Sequence, residues 1–355
     1  MTEPLRFAIV GSGIIAQVHA RALAELGDSA RLQAVVGRNA ATTAALAARY
    51  GAVATQDLGA VLGDGEIDAV IDCGPSGTRA DLAVAALRAG KHVVLEKPMA
   101  LTLSDADRII AAERESDRRV AVVSQHRFDP SAQRVSAAIR SGGLGAITSV
   151  IASCAWWRGQ SYYDSAAWRG TWELDGGGAT MNQAIHVIDL MVFLLGRPTE
   201  VFAFTGLLAH QRIEVEDTAV AVVKLPGGAL GIIHATTAAY PGLDMSLRVY
   251  GSRGSAVVID DELVFLHETP GAVPEITTSA GQADLNQVTE EDQLPSRPTP
   301  LGPAHRAQLA DIIDSLHTGR PMTVGSADGR ASLSVVLAMY ESARTGRPVG
   351  LDERA

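Results

Sequence analysis

The chain has 355 residues, of which 47% are hydrophobic and 20% charged, and its formal net charge is −10. This length suffices for two globular domains, and the acidic balance disfavours nucleic acid and anionic membranes as partners. With only two cysteines, Cys73 and Cys154, the chain has no disulfide framework and no cysteine-based zinc site, which favours a reducing, cytoplasmic location. We expect no signal peptide, because the first residues lack a basic segment, and no apolar run is long enough to span a bilayer.

The first part of the chain alternates short apolar runs with helical patterns. The apolar runs lie at 5–10, 32–36, 67–73, 92–95 and 120–124. The helical patterns lie at 14–26, 40–50, 79–89 and 104–116, the last with Ser104 as its expected N-cap. Strands separated by helices of this length predict a parallel sheet that is covered on both faces. We therefore expect a Rossmann domain at residues 1–124.

From about residue 147 the strands follow one another through turns. The turns Pro226-Gly227-Gly228 and Gly251-Ser252-Arg253-Gly254 each separate two apolar runs and predict hairpins. The remaining expected elements are a helix at 186–195, a long loop at 268–303 and two closing helices at 304–318 and 327–345. Residues 125–355 are thus predicted to form an α+β domain with a large, mostly antiparallel open sheet, and its closing helices can pack back on the first domain.

The number of helices predicted for this second domain is too small to cover both faces of such a sheet. An uncovered apolar face is expected to be buried against a symmetry mate. We therefore expect a homodimer or a homotetramer.

A dinucleotide-binding fingerprint follows the first apolar run. Gly11, Gly13 and Ala16 match the pattern Gly-x-Gly-x-x-Gly/Ala between a strand and a helix. Gly11 allows the tight turn, Gly13 lets the backbone approach a pyrophosphate, and the helix N-terminus faces the phosphates. We expect the intervening and following residues, Ser12, Ile14 and Ile15, to contact the cofactor as well.

The second predicted strand, at 32–36, is followed by Gly37 and Arg38. The acidic residue that usually holds the ribose hydroxyls of NAD at this position is absent. Arg38 offers a planar cation to a 2′-phosphate, and Asn39 or Thr42 can add hydrogen bonds. This favours NADP as cofactor, with NAD as the alternative. Arg38 can instead stack on adenine or remain a solvated surface residue.

Three further motifs complete the pattern. They are Leu95-Glu96-Lys97-Pro98, the block from Trp168 to Gly178 that reads Trp-Arg-Gly-Thr-Trp-Glu-Leu-Asp-Gly-Gly-Gly, and Met181-Asn182-Gln183-Ala184-Ile185-His186 with Asp189 beyond it. With the fingerprint, this combination resembles the glucose-fructose oxidoreductase / inositol dehydrogenase / MocA family of NAD(P)-dependent dehydrogenases. The resemblance extends over nearly the whole chain. It includes Gln125, Arg127, Phe128, Pro130, Ser342, Gly346 and Arg347.

The resemblance implies a Rossmann domain followed by a domain whose open sheet forms the floor of the substrate site and an oligomer contact. It places Lys97 and His186 beside the nicotinamide as catalytic and substrate-binding residues. The further cofactor contacts that it implies are Pro75, Glu96, Lys97, Gln125, Trp168 and Arg169. Where inositol dehydrogenases of the family carry Asp, this chain carries Asn182, whose amide cannot ionise. Asn182 is therefore expected to bind a substrate hydroxyl or to orient His186.

The two central residues each have an ordinary reading as well. Lys97 can be a surface lysine paired with Glu96, but consecutive strand residues point to opposite faces. The chain also keeps only three lysines beside 27 arginines, and an arginine cannot release a proton near neutral pH. His186 can be a core histidine, whereas Asn182 and Asp189, one turn away on either side, can set its tautomer.

Two other segments leave alternatives open. The three glycines 176–178 are either a flexible linker or a place where the backbone closely approaches the substrate or nicotinamide. The aromatic residues form either a core cluster or a wall for a sugar face, with the hydroxyls of Tyr162 and Tyr163 as substrate contacts. These residues are Trp156, Trp157, Tyr162, Tyr163, Trp168 and Trp172.

We therefore predict an oxidoreductase that transfers a hydride between nicotinamide and a secondary alcohol or ketone of a sugar, polyol or sugar derivative. The Trp-Arg-Gly-Thr-Trp block is similar to the branch that acts on sugars and nucleotide sugars. One alternative is a redox-neutral glycosidase on the same scaffold, and another is a nucleotide-binding regulator without activity. No metal site is expected, because the spacing of His305 and His317 does not form a ligand pair.

Overall fold

The structure, a computed structural model, describes residues 3–269 and 302–351. It divides into two compact units. The first comprises residues 1–125, 171–176 and 300–333, and the second comprises residues 126–170, 177–299 and 334–355, each as far as it is described. The loop predicted at 268–303 lies almost entirely outside the described residues. Within the described ranges, no helix is both long enough and apolar enough to cross a membrane.

The described residues form fourteen strands and ten α-helices. The strands are Leu5–Val10 (β1), Ala30–Val36 (β2), Val53–Thr55 (β3), Ala69–Asp72 (β4), His92–Leu95 (β5), Val120–Val122 (β6), Ile147–Ala155 (β7), Glu200–Gly206 (β8), Thr218–Lys224 (β9), Leu230–Thr236 (β10), Met245–Gly251 (β11), Gly254–Ile259 (β12), Glu262–Glu268 (β13) and Val349–Gly350 (β14). The helices are Ile14–Glu25 (α1), Ala40–Arg49 (α2), Leu58–Gly63 (α3), Arg79–Arg88 (α4), Leu103–Ser116 (α5), Pro130–Arg140 (α6), Gln160–Asp164 (α7), Ile185–Leu195 (α8), Pro303–Thr318 (α9) and Ser326–Thr345 (α10).

The first unit contains a parallel sheet of six strands in the order β3-β2-β1-β4-β5-β6. Its central strand β1 is buried on both faces. Phe7 and Ile9 pack into one apolar cluster with Leu23 of α1 and Leu309 of α9, while Ala8 packs into a second cluster. This is the predicted Rossmann fold, and the strand order reverses at β1 and β4. Ligands of such sheets bind at that reversal, beyond the carboxyl ends of the strands.

Short polar side chains cap three helices of this unit, one of them through Asp57 Oδ1, which accepts a hydrogen bond from the Ala60 N–H at the start of α3 (3.0 Å). Asn39 Oδ1 accepts a hydrogen bond from the Thr42 N–H at the start of α2 (3.1 Å). The Thr102 hydroxyl accepts one from the Asp105 N–H at the start of α5 (3.0 Å). The N-cap predicted for α5, Ser104, is therefore wrong, because the side chain of Thr102 already satisfies a free N–H of the first turn.

The second unit contains a sheet of eight strands in the order β13-β12-β11-β7-β10-β9-β8-β14. All neighbouring strands are antiparallel except β7 and β10, so the predicted mostly antiparallel sheet is confirmed. Both predicted hairpins are present, as β9–β10 and β11–β12.

The two faces of this sheet differ in their exposure. On β9, Ala221 and Val223 are buried, whereas Val220 and Val222 are 44% and 56% exposed. Five large exposed side chains on three adjacent strands, β8, β9 and β10, are nevertheless apolar, and the ion pair of Lys224 with Glu200 lies at their edge. The five apolar side chains are Phe204, Val220, Val222, Leu230 and Ile232.

A π-helical turn at Ala179–Ala184 leads into α8. Single π-helical turns are rare and are frequently found at functional sites. The helix predicted to begin at His186 thus begins at Ile185, and the π-helical turn carries Asn182.

Candidate active site

The loop between β1 and α1 has one open side. Gly11 has a φ of +115°, and its N–H donates a hydrogen bond to the Val36 carbonyl oxygen (2.7 Å). Gly13 begins α1 without a side-chain cap, and no described atom lies within 4 Å of the place where a Cβ on Gly13 would stand. The large apolar side chain of Ile14 is 75% exposed, while Ile15 is half-buried. Open space and uncapped helix N–H groups fit the pyrophosphate of a dinucleotide.

The end of β2 borders the same loop. The Ser12 hydroxyl is hydrogen-bonded to the Thr42 hydroxyl (2.7 Å), and a Cβ on Gly37 would overlap Thr43 Oγ1. Arg38 is exposed, and its guanidinium forms no hydrogen bond or ion pair with any described residue. Because Asn39 caps α2 and Thr42 binds Ser12, Arg38 is the main group that can recognise an anion at this position.

The end of β5 carries a buried carboxylate that is hydrogen-bonded to a histidine. Glu96 is 6% exposed, and its Oε1 lies 2.8 Å from Nε2 of His19 on α1. Burial alone would raise the pKa of Glu96, but the hydrogen bond and charge of His19 lower it to about 2. Glu96 thereby connects the fingerprint helix to the strand end, and its predicted contact with the cofactor stays a prediction.

Lys97 follows directly and is oriented differently. It is half-buried, whereas every other residue from 93 to 100 is buried. Its backbone N–H donates to Glu96 Oε2 (3.2 Å), and the other carboxylate oxygen of Glu96 is bound to His19. At the neighbouring strand end, Pro75 is half-buried and begins the short turn Ser76–Thr78 after β4, while Gln125 is buried.

The segment of the second unit that carries Asn182 and His186 repeats this pattern. From residue 177 to residue 192 every residue is buried except these two, which are half-buried. They are four residues apart, so they lie on one face of the helical segment. The two polar residues predicted for the substrate site are thus the two that this buried segment presents.

The imidazole of His186 is packed against a second histidine. The rings of His186 and His126 meet edge to face with centroids 5.1 Å apart. His126 Nδ1 lies 3.0 Å from Asp129 Oδ2 and 2.7 Å from Asp261 Oδ1. Burial alone would lower the pKa of His126, but the two carboxylates raise it to about 9. A protonated His126 fits both short distances.

Asp189, one turn beyond His186, is bound by an arginine of the same unit. Arg127 Nε and Nη2 donate to its two carboxylate oxygens, both at 2.8 Å. This bidentate pair is buried.

The aromatic block separates into two parts. Tyr163 is 5% exposed and its hydroxyl is hydrogen-bonded to Thr237 Oγ1 (2.8 Å), and burial raises its pKa to about 12. Tyr163 is thus a core residue, and its role as a substrate contact stays a prediction. The guanidinium of Arg169 stacks on the rings of Trp168 and Tyr162, with its carbon 4.7 and 4.2 Å from their centroids.

The glycines 176–178 adjoin the chain's own atoms. A Cβ on Gly176 would overlap Leu101, one on Gly177 would overlap the Tyr340 hydroxyl, and one on Gly178 would overlap the Glu216 carbonyl oxygen. The close approach predicted for these glycines is present, but the group approached is the protein itself.

Two family models match the chain. One describes an oxidoreductase family with an NAD-binding Rossmann fold and matches residues 5–124. The other describes the GFO/IDH/MocA C-terminal domain and matches residues 132–257. The chain belongs to the GFO/IDH/MocA family of oxidoreductases. The resemblance inferred from the motifs is therefore confirmed, as is the NAD-binding character of the first unit.

Relatives within this family align over almost the whole chain. The myo-inositol 2-dehydrogenase of Thermotoga maritima is 27% identical, and the alignment covers 98% of this chain and 99% of the relative. The WlbA dehydrogenase of Bordetella pertussis, solved in complex with NADH and UDP-GlcNAcA, is 33% identical with a TM-score of 0.89 and covers 99% of both chains. GenD2 from gentamicin A biosynthesis, solved with NAD, is 26% identical with a TM-score of 0.82 and covers 99% of this chain and 97% of its own.

The family motifs did not reveal two buried groups beside the site residues. The sequence offered one signal for His19, namely a histidine on the buried face of α1. Glu216, in the loop before β9, carried no signal, because its partners are distant in the sequence.

Proposed function

We propose that this GFO/IDH/MocA oxidoreductase is a dehydrogenase that oxidises a secondary alcohol, or reduces the ketone, of a sugar, polyol or sugar derivative. The observation that carries the proposal is the selective exposure of the motif residues. Lys97, Asn182 and His186 are each half-buried within runs that are otherwise buried. This partial exposure leaves part of each side chain where a ligand can contact it.

Each residue then has a distinct role. Lys97 donates a hydrogen bond to the reacting oxygen and stabilises its alkoxide character. His186 accepts the hydroxyl proton in oxidation and returns it in reduction. Asn182 binds a neighbouring substrate hydroxyl. The nicotinamide of a bound dinucleotide supplies the hydride chemistry. The pyrophosphate of that dinucleotide is held by the start of α1 and by Gly11, Ser12 and Gly13.

A substrate panel tests the proposal. Sugars, inositols and nucleotide sugars are incubated with each cofactor, and the nicotinamide absorbance is followed. The panel includes uronic acids and sugar phosphates, because Arg158 and Arg169 both stack on the Tyr162 ring and neither forms an ion pair with a described residue. Absence of turnover for all alcohols and ketones refutes the dehydrogenase, and net hydrolysis without change in the cofactor would identify a glycosidase instead.

The cofactor preference is a finer proposal. An exposed Arg38 and the absence of an acid at the end of β2 support NADP(H) over NAD(H), although WlbA was solved with NADH and GenD2 with NAD. A charge-assisted contact with the 2′-phosphate corresponds to roughly a tenfold to hundredfold preference.

Self-association is a second finer proposal. The apolar face of β8, β9 and β10 fits a second copy of this chain, which makes a homodimer or homotetramer. We expect Val222→Asp, which places a charge in the middle of that face, to lower the mass measured by sedimentation, while Thr148→Asp on a neighbouring strand leaves it unchanged. A wild-type chain that sediments as a 37.1 kDa monomer at micromolar concentration refutes this proposal.

A further inference from the structure

The π-helical turn that carries Asn182 is attached to a buried carboxylate. Glu216 is 5% exposed. Its Oε2 accepts a hydrogen bond from the Gly178 N–H (2.9 Å), and its Oε1 accepts one from the Thr180 N–H (2.8 Å). Its backbone carbonyl accepts a third from the Ala179 N–H (3.0 Å).

A tyrosine from the last helix completes the attachment. The Tyr340 hydroxyl donates to Glu216 Oε1 (2.9 Å) and accepts from the Met181 N–H (3.2 Å). The N–H of the next residue, Asn182, binds the Gly178 carbonyl oxygen (3.0 Å) and begins the helical pattern. Glu216 and Tyr340 therefore satisfy the backbone N–H groups of residues 178, 179, 180 and 181.

These four N–H groups have no acceptor within the helical segment itself. Helices ordinarily satisfy such groups with a capping side chain or water. Here the N-cap residue is Gly178, which has no side chain, and the segment is buried. A carboxylate at this position also complements the positive end of the helix dipole.

The fit is close on both sides. A Cβ on Gly177 would overlap the Tyr340 hydroxyl, and a Cβ on Gly178 would overlap the Glu216 carbonyl oxygen. Because these two glycines have no side chain, Glu216 and Tyr340 can contact the backbone of the turn. This contact fixes the position of the π-helical turn.

We propose that Glu216 and Tyr340 are positioning residues, which hold the turn at residues 178–181 so that Asn182 and His186 present their side chains to the substrate. This inference rests on the roles given to Asn182 and His186 in the proposed function. Glu216 and Tyr340 touch no reacting atom, and they act through the backbone of the turn.

The test uses Tyr340→Phe in the full-length protein, since this change removes only the hydroxyl. We expect kcat to fall by roughly tenfold to hundredfold, because small displacements of catalytic groups have effects of this size. Nucleotide Kd stays within about twofold, since the fingerprint loop is untouched. Tyr250→Phe is the matched control in the same unit, and its kcat is expected to stay at the wild-type value.

A second readout does not depend on activity. Hydrogen exchange of the peptide that contains residues 177–184 is expected to accelerate in Tyr340→Phe and in Glu216→Gln, while the first unit exchanges as in the wild type. Tyr340 and Glu216 belong to one hydrogen-bond network. The loss of kcat in the double variant, expressed as a free energy, should therefore be smaller than the sum of the losses in the two single variants.

Three outcomes overturn the inference. They are wild-type kcat in Tyr340→Phe, unchanged exchange at residues 177–184, or a parallel loss of nucleotide affinity, which would make Tyr340 a support of the fold. An inactive wild type in the substrate panel refutes the proposed function instead, and the two failures are therefore distinct.

Discussion

Two glycine-rich loops precede helices in this protein, and they use their glycines differently. In the loop before α1, the space beside Gly13 is open and the neighbouring Ile14 is exposed. In the loop before α8, the space beside Gly177 and Gly178 is filled by Tyr340 and Glu216. The N–H groups of the helix after the first loop have no side-chain cap, whereas two of those after the second loop are bound by an internal carboxylate.

The difference shows that glycine content alone does not indicate a ligand. Glycine permits close approach, and the approaching group is either a ligand or another part of the chain. The two loops therefore predict different effects for a glycine-to-alanine substitution. A methyl group added to the open space should weaken nucleotide binding, whereas one added where other atoms already lie should lower the stability of the fold.

The largest effect is expected at Lys97, which follows β5 in the same unit as the open loop. Lys97→Met should lower turnover by a factor of roughly 10² to 10⁴, the range observed when a donor that stabilises a developing oxyanion or a proton-transfer group is removed, with little change in stability or nucleotide affinity. Steady-state kinetics with a substrate identified from the panel measures this. Arg88→Met, at an exposed basic residue of α4 in the same unit, is the control. Near-normal turnover in Lys97→Met would remove Lys97 from the catalytic centre.

Gly178→Ala tests the filled loop. The new Cβ would overlap the Glu216 carbonyl oxygen, and backbone cannot move aside as a flexible side chain does. We expect a loss of about 3 kcal/mol in the free energy of unfolding, measured by denaturant titration. Gly65→Ala, with no described atom within 4 Å of the added Cβ, should change stability by less than about 1 kcal/mol. Equal stability of the two variants would contradict the assignment.

Arg38→Ala addresses the specificity of the open loop. If Arg38 binds a 2′-phosphate, the ratio of kcat/KM for NADP(H) to that for NAD(H) should fall by roughly tenfold to hundredfold. An equal loss with both cofactors would show that Arg38 stacks on adenine. A wild type that prefers NAD(H) would refute the NADP(H) proposal directly.

Gly13→Ala is expected to have the smallest effect of these substitutions. It tests most directly whether the open loop serves binding and not folding. Its φ of −77° suits alanine, so stability should be unchanged or slightly higher. The added methyl group enters the space that the pyrophosphate requires, and nucleotide Kd should rise roughly tenfold. Fluorescence titration and thermal denaturation measure the two quantities, and unchanged affinity would mean that the nucleotide does not approach Gly13.

Local patterns predicted much of the fold. The alternation of apolar runs with helical patterns predicted all the Rossmann strands except β3, which has three residues and too short a pattern. Pro226-Gly227-Gly228 predicted the β9–β10 hairpin because such turns are encoded by adjacent residues. The parallel pairing of β7 with β10 had no such signal, since the two strands are far apart in the chain.

By itself, the sequence determined the family, the Rossmann fingerprint and the candidates Lys97, Asn182 and His186, because each depends on residues that are close together in the chain. Only the tertiary structure decided which glycines face open space and which polar residues remain half-buried. It also decided the partners of the buried groups, which join residues 77 positions apart in His19 and Glu96 and 38 apart in Gly178 and Glu216. Such contacts form only when separate elements pack together, and they leave no periodic pattern along the chain.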